Sequence, residues 1–93
     1  IQKAGAFSIV LECLSSKAAK FITNKLDIPT IGIGSSKFCD GQILVTDDML
    51  GISGFYPKFV KKYLNLEKTI DGAIKKFKKD VLSKKFPNNT NTY

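Results

Sequence analysis

The sequence predicts a parallel α/β layer that forms part of a larger α/β fold. Two short apolar runs, at residues 7–11 and 30–33, are separated by a helix-length amphipathic stretch. A crossover of that length joins parallel strands. A third apolar run follows at 42–46. Three parallel strands leave two open edges and need cover on both faces, so a complete domain fits poorly. The 93 residues are therefore expected to fold poorly by themselves, and a first residue Ile1 in place of Met is expected of a piece of a longer chain.

Phe7-Ser8-Ile9-Val10-Leu11 is β-branched, aromatic and too short for a helix, which is how a strand buried on both faces reads. Ser15-Ser16 offers a helix N-cap. Behind it Ala18, Ala19, Ile22 and Leu26 make one helical stripe, with Lys17, Lys20 and Lys25 mostly off it. Pro29 disfavours helical geometry at Ile28 and stops the helix. Thr30-Ile31-Gly32-Ile33 is the second strand. Residues 37–41 read as loop, and Gln42-Ile43-Leu44-Val45-Thr46 as a third strand closed by Asp47-Asp48. Pro57 suits a first helical position, with Phe59, Val60, Tyr63 and Leu64 as a short stripe behind it. The last helix is the clearest. Ile70, Ala73, Ile74, Phe77 and Val81 share one face, and the pairs Asp71–Lys75 and Lys76–Asp80 span single turns. Pro87 ends the order, and residues 88–93 read as a disordered tail.

Composition excludes several classes. At 43% hydrophobic the chain is globular in character. No apolar run approaches the roughly 18 residues of a membrane helix, and no secretory signal pattern opens it. Cys13 and Cys39 belong to no CxxC pair and have no His beside them, so two reduced thiols of a cytosolic protein are expected. Charge is uneven: residues 1–57 carry five Lys and five acids, while residues 58–93 carry ten Lys against three acids. With no Arg for bidentate phosphate or guanine contacts, a solvated helix face outweighs a nucleic-acid surface.

In parallel βα units the chemistry gathers at the carboxyl ends of the strands. Three places qualify. Glu12 follows the first strand, where partial desolvation would make it a useful base; a helix cap or a Lys partner is the structural alternative. Gly34-Ser35-Ser36 could hold an anion through amides and hydroxyls, although close packing explains Gly32 and Gly34 equally well, and the structural role is favoured. Asp47-Asp48 could ligate a cation, but adjacent acids point apart, and a helix cap or turn is favoured. Nucleotide fingerprints are absent. Without His in the chain, neither Ser35 nor Ser36 has the partner of a Ser–His mechanism.

Val10-Leu11-Glu12-Cys13, Ile28-Pro29-Thr30-Ile31-Gly32-Ile33-Gly34, Cys39-Asp40-Gly41-Gln42-Ile43-Leu44-Val45 and Pro57-Lys58-Phe59-Val60-Lys61 occur in that order. Together they resemble the last third of the ketopantoate hydroxymethyltransferase family, from about Ala4 to Pro87. The resemblance implies the C-terminal three βα units of a (β/α)8 TIM barrel of the phosphoenolpyruvate/pyruvate type, with residues 1–93 as the C-terminal part of a single barrel domain. It implies a cytoplasmic transferase that moves a hydroxymethyl group from 5,10-methylenetetrahydrofolate to 3-methyl-2-oxobutanoate, a 2-oxo acid, in pantothenate biosynthesis, and a homo-oligomer when complete. It assigns Glu12 as proton acceptor. The family's Mg2+ and substrate-binding residues fall in the first two thirds of the family chain, so no metal ligand is expected here and the fragment alone is expected to be inactive. Many members carry Gly-Ala-Gly where this chain has Gly34-Ser35-Ser36, and His where it has Thr46. An inactive remnant and a small basic module for nucleic acid or protein are the alternatives.

Overall fold

The computed structural model describes residues 1–93. A 3-10 turn at Gln2–Ala4 precedes β1 (Ile9–Glu12), α1 (Ser16–Thr23), β2 (Thr30–Ile33), β3 (Gly41–Gln42), α2 (Thr46–Leu50) and α3 (Leu66–Leu82). The sheet runs β1-β2-β3, and both pairings are parallel. The helix-length crossover joins β1 to β2, whereas only the loop at residues 34–40 joins β2 to β3. Ser15 caps α1 by accepting a hydrogen bond from Ala18 N at 3.2 Å. The expected Asp71–Lys75 pair forms at 2.6 Å; Lys76 and Asp80 do not pair.

Alternation along the strands gives the sheet two unlike faces. Leu11 lies opposite Gly32 and Gly32 opposite Gln42. Leu11, Ala19 of α1 and Cys39 form the buried core there, with Ile9, Leu14 and Ile22 packed against it. A Cβ on Gly32 would come within 2.9 Å of the Gln42 side chain and 3.1 Å of Cys39 Sγ, so this face is tight. The opposite face carries Val10 and Glu12 beside Ile31 and Ile33, in register. It is largely uncovered: Val10 is 54% and Ile43 51% exposed.

Only seven of the 93 residues are buried. The radius of gyration is 22.1 Å, against roughly 12 Å for a compact domain of this length. The apolar stripe of α3, including Ile70, Ile74, Phe77 and Val81, is exposed along its length; Phe77 meets Phe86 edge to face at 5.5 Å. These apolar faces fit a layer cut from a larger body.

Four elements differ from the sequence reading. The first helix ends at Thr23, where Lys25 N donates back to Ile22 O, so Leu26 lies beyond it and Pro29 is not its stop. The first strand begins at Ile9, not at residue 7, because Ala6 N donates back to Ile1 O and the ladder opens with Ile9 N donating to Pro29 O at 3.0 Å. Phe7 is left 86% exposed. The third strand ends after Gln42, although Ile43 N still donates to Gly32 O, and residues 46–50 wind into α2 instead. Asp47 and Asp48 in its first turn suit the positive end of the helix. The helix expected behind Pro57 is absent. Tyr63 N donates to Met49 O at 2.9 Å, and Leu64 N shares the same acceptor. With these two amides tied to α2 and Val60 N donating to Pro57 O, residues 52–65 form an irregular strap in place of an i→i−4 ladder. Residues 88–93 contain no helix or strand; Asn88 Oδ1 accepts from Thr90 N and Oγ1.

Asp40 locks the amino end of β2. Its Oδ2 accepts from Thr30 N at 2.8 Å and Thr30 Oγ1 at 3.0 Å. The Thr30 amide, then its hydroxyl, hold the Asp40 carboxyl below the usual carboxylate range. A group lowered on folding contributes stability above its unfolded pKa, and that contribution is lost as pH falls through the folded value. Asp40→Asn is therefore expected to flatten the acid limb of the stability profile, read as melting temperature against pH in the full-length polypeptide. An acid limb as steep as that of wild type would remove Asp40 as a contributor.

Candidate functional site

Because all three strands are parallel, their carboxyl ends share one edge, where parallel α/β folds place their ligands. Glu12 ends β1 opposite Ile33, on the uncovered face. It is exposed rather than partly desolvated as expected, because nothing within these residues packs over that face. Its side chain takes part in no hydrogen bond or ion pair here. Cys13, the next residue, is exposed, with φ 53°, and Cys39 is buried; both thiols are free.

The loop after β2 is built by its serines. Ser35 Oγ donates to Leu11 O at 2.6 Å and accepts from Leu14 N at 3.2 Å, stitching it to the end of β1. Ser36 Oγ accepts from Phe38 N and lies 3.1 Å from Ser16 Oγ. Gln42 Nε2 donates to Ser36 O at 2.7 Å. Both hydroxyls thus have structural partners, in line with the structural reading of this loop.

Gly34 adopts φ +60°, and a Cβ there would come 2.6 Å from Phe59 Cγ. The missing side chain lets Phe59 settle over the β2 end and brings the strap to the site. Between them lies a cavity of about 710 Å³ lined by Cys13, Gly34, Ser35, Ser36, Lys37, Gln42, Lys58 and Phe59. Glu12 is not among its lining residues. The sequence reading did not single out Lys37, Lys58 and Phe59 as site residues. Lys58 and Phe59 stand 24 residues or more beyond Gly34, and no local periodicity signals their arrival.

Asp47 and Asp48 belong to the first turn of α2, and Asp48 Oδ1 accepts from Ser53 Oγ. Neither is the cap expected from the sequence: Val45 holds that position, and both acids lie inside the helix start. No group of three or more His, Cys, Asp or Glu side chains gathers anywhere in the chain. These residues do not fit a magnesium site. No helix is long and apolar enough to cross a membrane.

A parallel α/β layer with a cavity and an unpaired carboxylate along its carboxyl edge has the layout of an α/β enzyme site. The family profile of ketopantoate hydroxymethyltransferase matches residues 1–89, and the chain belongs to that family. The 3-methyl-2-oxobutanoate hydroxymethyltransferase of Pelagibacter ubique is 54% identical over 93 residues, which is all of this chain and 36% of that protein. The same-named proteins of Bdellovibrio bacteriovorus and Clostridium beijerinckii are 54% and 53% identical over 94 residues, covering 36% and 34% of their lengths. The chain thus spans about a third of the relatives it matches.

Proposed function

We propose that these residues are the C-terminal portion of a hydroxymethyltransferase that moves a one-carbon unit from 5,10-methylenetetrahydrofolate to 3-methyl-2-oxobutanoate, giving ketopantoate for pantothenate synthesis. In this reading residues 1–93 are the last three βα units of one (β/α)8 barrel. The enzyme is cytoplasmic and assembles as a homo-oligomer. The observation that carries the reading is the uncovered sheet face with Glu12 at its carboxyl end, in a chain of this family. Further strands would turn that face into a barrel interior and the edge into its active mouth.

Glu12 is the general base. It takes the proton from C3 of the oxo acid, and the electron pair left behind forms the new C–C bond to the methylene carbon. That carbon's two bonds to the folate nitrogens break, one water supplies the hydroxyl oxygen, and tetrahydrofolate leaves with both nitrogens protonated. Closing the barrel over Glu12 would withdraw the proton transfer from bulk water. The chain supplies no ligand set for magnesium.

The reading is tested on the full-length polypeptide carrying these residues. In D2O, with 3-methyl-2-oxobutanoate and no folate, the C3 proton signal should decay by enzyme-dependent exchange. Addition of 5,10-methylenetetrahydrofolate should then yield ketopantoate. Exchange no faster than the buffer rate, with no ketopantoate formed, would overturn it.

A further inference from the structure

The cavity beside Glu12 has a chemistry of its own. Its lining residues include two cations, Lys37 and Lys58, and no Asp or Glu. The Ser35, Ser36 and Lys37 amides donate to no acceptor within the protein. Consecutive free amides beside lysines favour an anion. Lys58 reaches the cavity only because Phe59 seats against the bare Cα of Gly34. The volume, about 710 Å³, is that of a pocket for an extended ligand and far exceeds the needs of a five-carbon oxo acid.

We infer that this cavity is a carboxylate subsite, in which Lys37, Lys58 and the free amides of residues 35–37 hold the glutamyl tail of the folate cosubstrate. The inference rests on the transferase reading for the identity of that cosubstrate. The site lies next to Glu12 without including it, so the tail can be gripped while the one-carbon end is presented to the open face. Lys37 and Lys58 are binding residues, and the chemistry remains with Glu12. A tail with more glutamyl units offers more carboxylates, and affinity should rise with tail length.

The test uses the full-length polypeptide and unreactive 5-formyltetrahydrofolate bearing one or five glutamyl units, in equilibrium dialysis. Wild type is expected to bind the five-unit probe about tenfold more tightly than the one-unit probe, a preference that shrinks as salt rises. Lys37→Ala/Lys58→Ala should abolish the preference, and Lys37→Arg/Lys58→Arg should restore most of it. The restored variant guards against a trivial loss of folding. No preference in wild type, or a preference that survives in the alanine variant, overturns the subsite. So does a loss that falls on the KM of the 2-oxo acid instead of the folate, which would mark the oxo acid's carboxylate as the occupant. If the preference is lost as expected but C3 exchange is absent in wild type, the subsite stands and the transferase reading falls. If C3 exchange occurs without any tail preference, the transferase reading stands and the subsite falls.

Discussion

Glu12→Gln in the full-length polypeptide is expected to lower kcat for ketopantoate formation by about 10²–10⁴-fold, the usual contribution of a positioned general base. The amide matches the carboxylate in size but cannot accept the C3 proton. Deuterium exchange at C3 should fall in parallel, since both readouts begin with the same proton transfer. The KM of the oxo acid should change little, because Glu12 is assigned to the proton and not to holding the acid. Stability should change little, because the side chain makes no hydrogen bond or ion pair within these residues whose loss would weaken the fold. Glu12→Asp, one methylene shorter, should lie between the two. Full turnover in Glu12→Gln would show that another group removes the proton.

The largest loss of stability is expected at Gly51. It closes α2 with φ +77°, and its N–H donates to Asp47 O at 2.9 Å and Asp48 O at 3.2 Å. Its own carbonyl accepts from Glu67 N in the first turn of α3. A Cβ there would run into the Leu64 carbonyl and stand 3.2 Å from Asn65 Cα, so the obstacle is backbone that cannot rotate away. Gly51→Ala should lose about 1–2 kcal/mol to the left-handed conformation and a further ~1–3 kcal/mol to overpacking. Gly54→Ala separates the two: its φ is +75°, but a Cβ there meets nothing within 4 Å, so only the conformational part applies. Denaturant unfolding of the two variants in the full-length polypeptide reads the difference directly. Equal losses at both positions would mean that the strap yields at Leu64.

Local pattern made much of this chain legible. The Ile9–Val10–Leu11 run, the Ser15 cap and the apolar stripe behind it specify β1, α1 and the parallel pairing with β2, because neighbours in sequence generate those signals. They place the helix end too late, since α1 stops at Thr23, before Leu26 and Pro29. The same holds for α3, whose 3.6-residue period runs the length of the helix. The motif order around Glu12 and Gly34 pointed to the family, which the profile over residues 1–89 bears out. Contacts between distant residues decided the rest. The third apolar run is mostly not a strand, because after Ile43 no neighbouring amides continue the ladder and Asp47 and Asp48 favour a helix start. The stripe behind Pro57 is not a helix, because Met49 O takes the Tyr63 amide and Gly34 takes the Phe59 ring. The basic cavity exists only as a result of that docking: Lys37 and Lys58 are 21 residues apart in the chain, and nothing short-range ties them. The sequence alone determined β1, α1, β2 and α3 and the position of the carboxylate at a strand end. Tertiary structure decided which charges stand beside it, because their placement depends on a bare Cα at Gly34 that an aromatic ring 25 residues away can cover.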